Sequence, residues 1–103
     1  MNSKITVAVI FGGQSSEHEV SRTSAVLMLN ALDKEKYQVL PVGITKKGQW
    51  LIYNGPVEHV KTGEWEKFGT PASLSPDATK KCFLKIVNGS VKEIPVDVII
   101  PVL

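Results

Sequence analysis

The sequence predicts an α/β domain with a mostly parallel sheet, helices on both faces and added β-hairpins. Three observations carry that expectation. An apolar run near the start, Ile5, Val7, Ala8, Val9, Ile10 and Phe11, breaks at Gly12-Gly13 and gives way to a helical pattern. A second extended run, Tyr37 to Ile44, follows that helix, which makes a β-α-β unit with parallel strands and a right-handed crossover. A third run, Val96 to Leu103, is almost continuously apolar, as a strand covered on both faces would be.

Size and charge narrow the classes. The 103 residues, 43% hydrophobic, suffice for one domain with its own core. Twelve basic and ten acidic residues give a net charge of +2, and no basic run exceeds Lys46-Lys47 or Lys80-Lys81, so nucleic acid is not an expected partner. The single cysteine, Cys82, has no internal disulfide partner and no metal-ligand spacing around it; it reads as a small buried hydrophobe in a reducing compartment. Neither a signal peptide nor a membrane-length apolar run is present, which predicts a cytoplasmic protein with no membrane partner.

In chain order, the first strand ends at Gly12-Gly13, where the backbone can turn without side-chain clashes. A helix is expected from Ser16 to about Leu32, opened by an S-x-x-E capping box of Ser16 and Glu19. Its apolar stripe is read as Val20, Leu27 and Ala31, widened by Ala25, Met28, Leu29 and Leu32; Ser21, Thr23 and Ser24 allow close packing, and Arg22 reads as part of a solvated face. Gln49 to Tyr53 should fold back on the second strand as a hairpin, with Trp50 and Tyr53 as packing aromatics. Val57 to Phe68 reads as a helix interrupted at Gly63, with His59 exposed, and residues 69–79 as a surface loop. Asn88-Gly89 between two β-prone runs predicts a second hairpin.

The capping box occupies Glu19 and leaves Glu17 without a structural task. Ligands of open α/β sheets sit at the carboxyl ends of the strands, where this turn lies. A glycine turn with free helix amides suits phosphate, but two like charges about 4 Å apart repel by roughly 4 kcal/mol at an effective dielectric of about 20. The third glycine of a dinucleotide fingerprint is also missing from Gly12-Gly13-Gln14-Ser15-Ser16-Glu17. An amino group held by Glu17 fits this mouth better than a nucleotide.

The stretch Val9-Ile10-Phe11-Gly12-Gly13-Gln14-Ser15-Ser16-Glu17-His18-Glu19-Val20-Ser21 closely resembles the N-terminal signature of the D-alanine–D-alanine ligases, which are ATP-grasp enzymes. The resemblance implies a Rossmann-like pre-ATP-grasp domain over residues 1–103, with the central and C-terminal ATP-grasp parts of the same protein absent from this chain. It makes Glu17 the catalytic and substrate-binding acid that holds the ammonium of the first D-alanine, and Val20 a second pocket residue. Gly12, Gly13, Ser16, Glu19 and Ser21 would support that site. The serine and tyrosine that the family links to this acid lie outside the sequence, as do its ATP and magnesium or manganese ligands, so this portion alone is not expected to catalyse. In the family, a strand like Asp97 to Leu103 leads into a His-Gly motif. The resemblance also implies a homodimer and peptidoglycan synthesis.

Other readings stay open. The chain could be a free-standing Rossmann-like module that binds a small amine and catalyses nothing. Gly12-Gly13 could be an anion-binding turn for a nucleotide, with Glu17 only a helix-start acid. Within the ligases, D-lactate or D-serine as second substrate is an alternative to D-alanine.

Overall fold

The computed structural model describes residues 4–13, 18–76, 79 and 81–102. In chain order the elements are β1 (Ile5–Gly12), α1 (His18–Ala31), β2 (Tyr37–Ile44), β3 (Trp50–Ile52), α2 (Glu58–Thr62), a 3₁₀ helix (Glu64–Lys67), β4 (Thr70–Leu74), β5 (Cys82–Val87), β6 (Ser90–Pro95) and β7 (Val98–Val102). They build one seven-stranded sheet in the order β6-β5-β4-β3-β2-β1-β7.

β1 is buried because its alternating side chains feed two cores. Val7, Val9 and Phe11 meet Ala25 and Leu29 of α1, Val60 of α2 and Trp65 of the 3₁₀ helix. Ala8 and Ile10 point the other way, into a core with Val42, Ile52, Phe83 and Val96. β2 and β7 flank β1 in parallel, as the β-α-β reading requires. Asp97 sets the start of β7: the Thr6 amide donates to its carboxylate at 2.8 Å, and its own amide donates to the Thr6 carbonyl at 2.9 Å.

The α/β class stands, with two corrections to its detail. The sheet is parallel only where β1 pairs with β2 and β7; the pairings from β2 through β6 are all antiparallel. Short turns after Thr45 and at Asn88-Gly89 leave no length for a crossover between β2 and β3 or between β5 and β6, so β3 and β6 return beside their predecessors. Among the described residues the helices also lie on one face only, that of Val7, Val9 and Phe11. The opposite face is filled by the antiparallel strands' own side chains, including Ala72 of β4 and Phe83 of β5.

Three local expectations also change. Residues 69–79 are not all loop, since Thr70–Leu74 forms β4. Pro71 is tolerated there because the strand changes partner beside it: β3 pairs with Thr70 and Pro71, and β5 with Ala72 to Leu74. β7 is parallel but stands at the sheet's edge, paired with β1 alone among the described strands. On α1 the buried line is Ser21, Ala25 and Leu29, whereas Val20 and Leu27 are 59% and 69% exposed and Ala31 is exposed. The small residues at i and i+4 let the helix approach the sheet along that line. The Asn88-Gly89 hairpin forms as expected, with φ of 50° and 77°, and Cys82 is buried.

Candidate functional site

β1, β2 and β7 all end at one edge of the sheet, where Gly12 faces Ile44 and Phe11 faces Val102 in register. Gly12 and Gly13 turn the chain there with φ of 86° and 105°, a region that a side chain at either position would make costly. The Gly13 amide donates to the Ile44 carbonyl at 2.7 Å, which fastens the turn to the end of β2.

Ser21 fastens it from the other side. Its buried Oγ accepts the Gly12 amide at 2.8 Å and donates to the carbonyl of Val102. One hydroxyl thus joins the first turns of α1 to the ends of β1 and β7. Its small size was legible in the sequence, but this bond was not, since the partners are far apart in the chain.

Beneath the turn, the Phe11 ring meets Trp65 edge-on, with centroids 5.0 Å apart and an interplanar angle of 71°. Trp65 is fully buried and lies over Gly43, where a built Cβ would stand 2.2 Å from its ring. Gly43 is therefore a close-approach glycine, and Trp65 is a base for the turn that sequence reasoning missed.

Ser16, Glu17 and the side chain of Glu19 lie outside the described residues, and with them the capping box and the candidate acid itself. Val20, in the first turn of α1, is 59% exposed. Arg22 is not on a solvated face: it is half-buried, with its Nη1 against Gly63 and its Nε enclosed without a hydrogen-bond partner. His59 is half-buried rather than exposed, stacked on Phe68 at 5.9 Å and 3.9 Å from the Glu64 carboxylate.

Elsewhere Tyr53 is buried, as expected of a packing aromatic, and its hydroxyl donates to the Pro56 carbonyl at 2.7 Å. Burial first, then the carboxylates of Glu58 and Glu64, push its pKa above the ordinary tyrosine value. Among the described residues no group of three or more His, Cys, Asp or Glu could hold a metal ion, and no helix is long and apolar enough to cross a membrane.

A buried parallel strand, a glycine turn and a helix start gathered at the carboxyl edge of a sheet define an α/β domain, and it is at that edge that open α/β sheets place their ligands. The chain belongs to the D-ala D-ala ligase N-terminus family, whose model matches residues 6–103. It is 46% identical over 101 residues to a D-alanine--D-alanine ligase of Caldicellulosiruptor bescii, covering 98% of this chain and 28% of that protein. A D-alanine--D-alanine ligase of a Thermoanaerobacter species is 48% identical over 100 residues, with 97% and 28% covered. The chain thus spans 28% of the length of these curated relatives.

Among solved structures, the VanG D-Ala:D-Ser ligase of Enterococcus faecalis superposes with a TM-score of 0.87 at 34% identity, over 96% of this chain and 29% of that one. A D-alanine-D-alanine ligase of Coxiella burnetii, 24% identical with a TM-score of 0.76 over 95% of this chain and 28% of that one, shares the fold.

Proposed function

We propose that residues 1–103 form the N-terminal, substrate-binding part of an ATP-dependent ligase that joins two D-alanine molecules for peptidoglycan synthesis. The family match over residues 6–103 carries this reading, together with the 46% identity to a protein named for that activity. Under it, the remaining ATP-grasp parts belong to the same protein, which acts in the cytoplasm as a homodimer, and the 103-residue portion alone turns nothing over.

In this reading Glu17 grips the ammonium of the first D-alanine through a charge-assisted hydrogen bond, on the order of 1.5–3 kcal/mol. It thereby orients the carboxylate that is to be activated. Val20 lines the same pocket. Gly12, Gly13 and Ser21 hold the turn, and Ser16 and Glu19 cap the helix that follows. ATP with a magnesium or manganese ion would supply the phosphoryl group. The resemblance to the ligases assigns the residues that hold both to parts outside this chain.

The structural likeness to a D-Ala:D-Ser ligase favours one second reading, in which D-serine takes the second position. Initial-rate kinetics of Glu17→Gln in the full-length protein test the main reading. The KM for the first D-alanine should rise roughly 10- to 100-fold, the equivalent of the lost charged bond at about 1.4 kcal/mol per decade. An unchanged KM would remove Glu17 from the site, and activity with D-serine but not D-alanine at the second position would favour the alternative.

A further inference from the structure

Beside the turn that follows β2 lies a cleft of about 530 Å³, lined by Arg22, Thr45, Lys46, Lys47, Thr62 and Glu66 among others. That volume is within the range of small-molecule sites. Its walls come from three places: Arg22 from α1, Thr45 to Lys47 from the turn after β2, and Thr62 and Glu66 from the end of α2 and the 3₁₀ helix.

The charges do not balance. Three cationic groups face one carboxylate, and Arg22 has no ion-pair partner among the described residues. Its Nε is enclosed without an acceptor, although buried donors are ordinarily paired. The guanidinium lies close over Gly63, with Nη1 2.5 Å from where a Cβ on that residue would be. Thr45 is buried, and its Oγ accepts the Gln49 amide at 3.1 Å, leaving its own proton free for an acceptor in the cleft. A planar guanidinium, two ammonium groups on exposed side chains and a buried threonine hydroxyl line one cleft with two positive charges in excess. These are the groups that recognise a tetrahedral or planar oxyanion.

We propose that the cleft walled by Arg22, Thr45, Lys46 and Lys47 is an oxyanion-binding subsite that takes a small phosphate or carboxylate dianion next to the end of β2. The chemistry of the anion rests on this cleft alone. Only its supply, as phosphate released by the ligase reaction, rests on the function proposed above. The anion is seated on Arg22, with Lys46 and Lys47 closing over it from the exposed turn.

Isothermal calorimetry on the full-length protein, at constant ionic strength because exposed charges are screened, tests this with inorganic phosphate in one arm and succinate in the other. Binding in either arm identifies the source. Arg22→Gln should weaken it at least tenfold, and so should Lys46→Ala/Lys47→Ala, whose two exposed side chains leave the core untouched. Three results would overturn the proposal: no binding of either anion by the unmodified protein, affinity in both variants unchanged from that of the unmodified protein, or phosphate displaced by ATP with the variants still binding normally. Pairing of Arg22 with a carboxylate from the rest of the protein would appear as the first of these. No turnover is measured, so the outcome is independent of the Glu17→Gln kinetics.

Discussion

The Ser21 hydroxyl accepts a hydrogen bond from the Gly12 amide at 2.8 Å and donates one to the Val102 carbonyl, so one hydroxyl on α1 closes both strand ends beside the glycine turn. Ser21→Ala keeps the small volume that lets α1 approach the sheet, yet strands the Gly12 amide and the Val102 carbonyl. Leaving buried groups unsatisfied costs about 1–3 kcal/mol. Urea denaturation should show a lowered midpoint with an unchanged slope. A midpoint within error of the parent would mean that water takes over both bonds.

Gly43 and Trp65 form a second close pair, with a built Cβ on Gly43 standing 2.2 Å from the ring. Gly43→Ala should therefore destabilise by about 1–3 kcal/mol through overpacking. Trp65→Phe frees part of that space. In the double variant the Gly43→Ala penalty should shrink, giving a coupling of at least about 0.5 kcal/mol in a double-mutant cycle. Strict additivity would show that the two residues do not press on each other, and that the base under Phe11 is not this ring.

What could be read from the sequence was what short-range pattern encodes. The Ile5–Gly12 run, the Tyr37–Ile44 run and the Asn88-Gly89 turn each carry their conformation in a few neighbouring residues, and all three form where expected. β4 was hidden because Pro71 and its serine neighbours have turn chemistry, and only a change of pairing partner makes a strand there possible. The buried line of α1 was misassigned because its centre is Ser21 and Ala25, while the larger Val20 and Leu27 face outward. Of the candidate site, the glycine turn was legible, whereas Ser21 to Val102, Trp65 to Gly43 and Arg22 to Gly63 are contacts that only the folded chain brings together.

Two leucines on α1 test the reassigned face. Leu29 is 2% exposed in the core with Val9 and Val60, and Leu27 is 69% exposed. In the 103-residue chain, Leu29→Ala should cost about 2–5 kcal/mol by removing buried methyl groups and leaving a cavity. Leu27→Ala should stay within about 0.5 kcal/mol. Thermal or urea denaturation of the two variants side by side distinguishes the faces, and equal losses would return Leu27 to the core.

Tyr53 gives the chain an alkaline limit. Burial, then Glu58 and Glu64, raise its pKa above the ordinary tyrosine value, and the hydrogen bond its hydroxyl donates to the Pro56 carbonyl favours the protonated form in the same direction. In the unfolded chain the phenol returns to about 10. Well below that pH both states carry the proton, and the stabilisation is fully present. As pH rises through about 10 the unfolded state releases its proton first and binds fewer protons than the native state, so stability falls until the folded pKa is passed. Tyr53→Phe has no such proton. Its urea midpoint should decline less between about pH 9 and 11 than that of the parent chain, while the difference between the two stays constant at lower pH. Ultraviolet difference titration of the folded parent should show Tyr53 ionising late, and identical pH profiles for the parent and Tyr53→Phe would assign the alkaline loss to other groups.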